Sequence, residues 1–188
     1  MKERKPYKRQ STRLKDRDYS EAGAYFITIH CYKYCAYFDD PEIKMVIETE
    51  WLNSINIRPN VALDEFVVMP NHFHGILIIK AGFHNVGAYC HTPPRQNNKP
   101  ASSTAALTQF NDKFRSPSQT LGAIIRGFKA TTTKKINLLR RAPAMPLWQR
   151  NYHDRIIRNA GEFAQYRKYI RDNPANWERD ELNPHCCR

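Results

Sequence analysis

Met69-Pro70-Asn71-His72-Phe73-His74-Gly75-Ile76-Leu77-Ile78-Ile79 is the stretch from which the fold can be read. Pro-Asn is a turn pair, and the run after it is β-branched and apolar, so the segment predicts a tight turn opening into a strand. The run before it, Val61 to Met69, has strand composition as well, and together they predict an antiparallel hairpin. Side chains alternate faces along a strand, so His72 and His74 project on the same side. Two imidazoles held at fixed separation are half of a metal site, with room on the ion for a third ligand and a substrate oxygen. The plainer alternative is a pair of histidines that only pack or hydrogen-bond.

Tyr25 to Tyr37 is rich in aromatic and β-branched residues and predicts a further strand with a central place in the sheet. Ile43, Val46, Ile47 and Trp51 follow a helical period behind Asp40 as cap and Pro41 in the first turn, and this helix should stop before Pro59. A second helix, capped by Ser118 or Thr120, carries the stripe Leu121, Ile124, Ile125 and Phe128. A last helix runs from Ala160 or Gly161 to Asn173 and is stopped by Pro174, with Phe163, Tyr166, Tyr169 and Ile170 as its core face. Tyr152 is expected at or just before the start of a further helix. Strands interleaved with helices around an antiparallel hairpin make the class α+β, a mostly antiparallel sheet with helices on one face.

The 188 residues suit a single domain. Its ends and middle differ in kind. Residues 1–20 form a basic arm, and residues 81–116, rich in Gly, Pro, Asn, Ser and Thr, are expected to be a mobile loop. His84 and His91 lie in that loop and are expected to face solvent.

The formal charge is +12, and it is concentrated. Met1 to Asp18 carries eight Lys and Arg against three acids, and Arg126 to Arg158 carries nine against one. Such clustering favours a polyanionic partner over an acidic small molecule. No apolar run reaches the length of a membrane span and no signal-peptide pattern is present, so the expected location is cytoplasmic. Five cysteines, Cys31, Cys35, Cys90, Cys186 and Cys187, form no disulfide framework. A zinc site joining Cys31 and Cys35 to His185, Cys186 and Cys187 lacks the short loop between ligands that such sites use.

His72-Phe73-His74 and, far downstream, Trp148-Gln149-Arg150-Asn151-Tyr152 together resemble the HUH single-tyrosine transposases, most closely the REP-associated tyrosine transposases. Leu121 to Lys129 and the ending Tyr169-Ile170-Arg171-Asp172-Asn173-Pro174 are similar to that branch as well, so the likeness covers about Tyr25 to Trp177. The resemblance implies a ferredoxin-like core with the histidine pair on a central strand and the tyrosine on a helix beside it. It also implies a divalent metal, Mg²⁺ or Mn²⁺, on His72 and His74, and Tyr152 as nucleophile. The DNA strand would be cleaved through a 5′-phosphotyrosine and rejoined without ATP.

The implied partner is single-stranded DNA with hairpin or palindromic flanks, and the enzyme would be a monomer or a homodimer. Arg126, Lys129, Arg150, Arg155 and Arg158 are the residues expected to meet phosphate. Relatives place a histidine at the position of Arg155, or a glutamine one residue later. Arginine cannot ligate and Ile156 has no donor, which leaves His153, Asp154, Glu65 or water for the third position. Two rival functions remain at this point. One is a DNA-binding protein whose site has decayed; the other is a metal-dependent nuclease that uses water.

Overall fold

The computed structural model describes residues 21–81 and 120–183. The basic arm, most of the 81–116 loop, Ser118, Cys90, His185, Cys186 and Cys187 lie outside the described residues. Four strands, β1 (Gly23–His30), β2 (Val61–Met69), β3 (His72–Ile79) and β4 (His153–Ile157), form one sheet in the order β2-β3-β1-β4. Every pairing is antiparallel. The helices are α1 (Pro41–Leu52), the short α2 (Ser54–Ile57), α3 (Leu121–Leu139) and α4 (Ala160–Asp172). Ignoring α2 and α4, the chain order is β-α-β-β-α-β, the ferredoxin-like arrangement.

Local chemistry accounts for the elements. Asp40 accepts hydrogen bonds from the backbone N–H groups of Glu42 and Ile43 with Pro41 at the first helical turn, so α1 starts where its orphan donors are satisfied. Thr120 does the same for α3 through Ala123, and Asn159 for α4 through Glu162. In the β2–β3 hairpin Met69 pairs directly with His72, leaving Pro70-Asn71 as a two-residue turn.

The register divides the sheet into two chemically distinct faces. Tyr25, Ile27 and Ile29 of β1 stand opposite Leu77, Gly75 and Phe73 of β3, and this face packs against α1 and α3. Trp51, fully buried, holds the layer together, with ring centroids 4.7 Å from Phe73 and 5.2 Å from Phe128. Phe26, Thr28 and His30 stand opposite Ile76, His74 and His72 on the other face, over which α4 lays Phe163, Tyr166 and Ile170.

Two elements differ from the sequence expectation. The first strand ends at His30 rather than Tyr37, because Cys31 N–H turns to the Asn71 carbonyl and Tyr32 N–H to that of Leu147. Lys33 and Tyr34 then take left-handed backbone angles in a 3₁₀ turn, which ends sheet pairing. After Tyr152 there is no helix but the edge strand β4, paired with β1. His153 to Ile157 is too short to separate period 2 from period 3.6, and the free edge of β1 decides the outcome.

Candidate active site

His72 opens central strand β3 and His74 follows two residues on, their rings 4.6 Å apart between centroids. Both are buried. Asn71, with no solvent exposure, fixes how His72 presents itself. Its amide Nδ2 donates to the carbonyls of Tyr34 (3.3 Å) and Leu182 (2.6 Å), so its Oδ1 must be the atom facing His72 Nδ1 at 2.8 Å. Oδ1 only accepts, so Nδ1 carries the proton and the lone pair falls on Nε2. That Nε2 is buried without a hydrogen-bond partner, with Asp180 Oδ2 4.0 Å away. A neighbour that sets the tautomer and leaves one nitrogen bare is the arrangement found behind metal-binding histidines.

His74 Nδ1 lies 2.9 Å from Thr28 Oγ1 on β1. Its Nε2 faces Tyr169 Oη of α4 at 3.5 Å, the outer limit of a hydrogen bond, with the rings edge-on at 5.2 Å. Register adds two more imidazoles to this face: His30, 6.1 Å from His72, and His153, 5.5 Å from His30.

Burial favours the neutral forms of His72, His74 and His30. It lowers His72 to about 4 against the pull of Asp180, and it takes His74, which also feels His72 and His30, well below the ordinary histidine value. His30 is lowered by burial and then by His153. A neutral imidazole is the form that ligates. Asn173, one turn beyond Tyr169, contributes a buried side-chain Oδ1 that likewise lacks a hydrogen-bond partner. Among the described residues no three His, Cys, Asp or Glu side chains form a metal-binding group, so an amide or a substrate oxygen would have to complete one.

The remaining candidates from sequence fall in different places. Tyr152 packs with Ile156 against the α1–α3 core, whereas its successor His153 faces the histidines, so the sheet stands between Tyr152 and the pair. Arg155 is opposite Phe26 and shares the histidine face; it is exposed, as are Arg126, Arg150 and Arg158. Lys129 is not an open phosphate contact. Its Nζ donates to the backbone carbonyls of Gln149, Arg150 (3.4 Å) and Asn151 (3.2 Å), and burial brings its pKa to about 8. Trp148 is buried, its Nε1 donating to Thr132 Oγ1 at 2.8 Å, and the Gln149 N–H meets the His30 carbonyl. The Trp148–Tyr152 motif is therefore a bracket that ties α3 to the end of β1. Of the candidates for a third ligand, Asp154 stands opposite Ile27 on the far face, and Glu65 is engaged by Arg171.

In the sequence Tyr169 reads as one of the core aromatics, and Thr28, His30, Asn71, Asn173 and Asp180 carry no signal of a role on their own. A signal existed in Tyr169 and Asn173, a phenol and an amide four residues apart on one helix face, just before the proline that ends the helix. Their proximity to a histidine about a hundred positions upstream had no local signature.

Comparison with known proteins supplies a sequence relative and a structural neighbour. The chain is 35% identical over 182 residues to an uncharacterized protein of Haemophilus influenzae, covering 93% of this chain and 92% of that one. Its structure superposes on that of a REP-associated tyrosine transposase bound to a REP hairpin with a TM-score of 0.55 at 15% identity, covering 88% of this chain and 74% of the other. No family model matches.

Proposed function

Given that the chain belongs to one family with the Haemophilus influenzae protein and has the fold of a REP-associated tyrosine transposase, we propose that it cleaves and rejoins single-stranded DNA, with Tyr169 as the nucleophile. The observation that carries this reading is the 3.5 Å between Tyr169 Oη and His74 Nε2 on the face that holds both sequence-identified histidines. A tyrosine beside the imidazoles meets the positional requirement for attack at a phosphate held there, and Tyr152, packed on the opposite face, does not.

In the reaction, Tyr169 Oη forms a bond to phosphorus as the bond from phosphorus to the 3′-oxygen breaks. The phenol loses its proton and the departing oxygen gains one, leaving a 5′-phosphotyrosine and a free 3′-hydroxyl. Because the phosphodiester is exchanged rather than hydrolysed, attack by a 3′-hydroxyl on the phosphotyrosine restores the DNA without ATP.

A divalent ion fits the bare His72 Nε2 together with the His74 Nε2 that faces Tyr169 Oη. His72 Nε2 and His74 Nε2 would hold it, with Asn173 Oδ1 as the oxygen donor, and imidazole donors favour Mn²⁺ over Mg²⁺. Such an ion, when bound, draws charge from the non-bridging phosphate oxygens and so makes phenol attack feasible. Thr28 and Asn71 orient the two rings, and burial favours their neutral forms.

The partner we propose is single-stranded DNA next to a hairpin, the solved neighbour being one that holds a hairpin. Arg155, on the histidine face, and Arg158, next to the first turn of α4, stand where the strand must pass, and Arg126 and Arg150 extend the positive surface. The test mixes a labelled hairpin oligonucleotide with Mn²⁺ and wild-type, Tyr169→Phe or Tyr152→Phe protein, then runs a denaturing gel. The adduct should vanish with Tyr169→Phe and persist with Tyr152→Phe. An adduct surviving Tyr169→Phe defeats the assignment, and cleavage by wild-type protein with no adduct makes water the nucleophile.

A further inference from the structure

Helix α4 carries Tyr169 yet has a thin apolar footing. Ile170 is its one buried side chain, with Phe163 and Tyr166 half-buried against Phe26, Ile76 and Ile157. Apolar contact is non-directional and would let a helix slide or roll. The shortest directional contacts to the sheet are ionic. Arg167 forks onto Asp64, with Nε 3.2 Å and 3.0 Å from the two carboxylate oxygens and Nη2 2.7 Å from one of them. One turn later Arg171 places Nε 3.0 Å and Nη2 2.5 Å from Glu65 Oε1.

Asp64 and Glu65 are consecutive, and consecutive strand residues ordinarily point to opposite faces. They lie where the β2–β3 register shifts, between Leu63 and Phe66, an irregularity of the kind that re-aims side chains. As a result both carboxylates reach the same helix. Arg167 is further stiffened by stacking over Phe163, 4.6 Å from the ring centroid.

We infer that Asp64 and Glu65 are positioning residues, a two-pronged clamp built on the β2 irregularity that sets the register of α4 and thereby holds Tyr169 Oη beside His74. The catalytic consequence rests on the proposed role of Tyr169; the clamp itself does not.

The test uses full-length protein carrying Asp64→Asn and Glu65→Gln together. Amide exchange across 160–172 should quicken about tenfold while the α1 and β3 amides keep their protection. The rate of adduct formation should fall by a similar factor with no rise in KM for the oligonucleotide. The charge exchange Asp64→Arg with Arg167→Asp should restore both readouts. If that exchange fails to fold, Arg167→Lys with Arg171→Lys keeps the charge without the fork and should give intermediate values. Unchanged exchange in α4 overturns the clamp. Faster exchange with an unchanged adduct rate overturns its positioning role. Loss of rate without rescue marks a merely structural contact. Failure of Tyr169→Phe to abolish the adduct sinks the nucleophile instead, with amide exchange still reporting on the clamp.

Discussion

Asn71→Ala is the sharpest single test of how the histidine site is built. The substitution removes a side chain with three contacts and no solvent exposure: the 2.8 Å bond from His72 Nδ1 and those to the Tyr34 and Leu182 carbonyls. It leaves behind one buried N–H and two carbonyls. A buried polar group stripped of its partner costs about 1–3 kcal/mol, and carbonyls with a second route to water cost least, so the expected total is about 2–4 kcal/mol. Urea denaturation at pH 7 measures it. The functional effect is separable, because without Asn71 Oδ1 nothing fixes the proton on Nδ1. Mn²⁺ affinity, read by titration calorimetry on folded protein, should then drop by about 10–100-fold. A stability loss below about 1 kcal/mol would contradict the hydrogen-bond accounting. Unchanged Mn²⁺ binding would refute the argument that Asn71 selects the ligating tautomer.

Two further outcomes follow from buried titratable groups. His72 is lowered by burial from 6.5 to about 4, so the unfolded chain takes up its proton first as pH falls. The stability from the neutral ring is complete above about 6.5 and is lost toward pH 4; at about 1.4 kcal/mol per pH unit this amounts to about 3 kcal/mol. His74 shifts the same way, and a denaturation midpoint that stays flat between pH 7 and 4.5 would mean the rings are hydrated. Lys129→Met keeps the aliphatic stem but removes the ammonium that caps the Gln149, Arg150 and Asn151 carbonyls. It should cost about 2 kcal/mol and speed amide exchange across 149–152, whereas wild-type stability would return Lys129 to the list of open phosphate contacts.

Local rules were sufficient for much of this molecule. Asp40-Pro41, Thr120 and Asn159 start their helices because each offers an oxygen to orphan N–H groups, a requirement met within a few residues. Pro70-Asn71 makes the hairpin, and the two-residue period of a strand puts His72 and His74 on one face whatever surrounds them. Clustered charge is likewise a property of composition. What only the tertiary structure decided is which tyrosine meets the histidines. Tyr152 adjoins a sequence motif, yet that motif spends its polar groups on Thr132, His30 and Lys129, and the edge of β1 draws His153–Ile157 into a strand that turns Tyr152 toward the α1–α3 core. Tyr169 reaches His74 across 95 positions because α4 folds back over the sheet and two arginines lock onto a β2 irregularity. Contacts of that separation depend on how faces of different elements cover one another, and no periodicity along a single element encodes that.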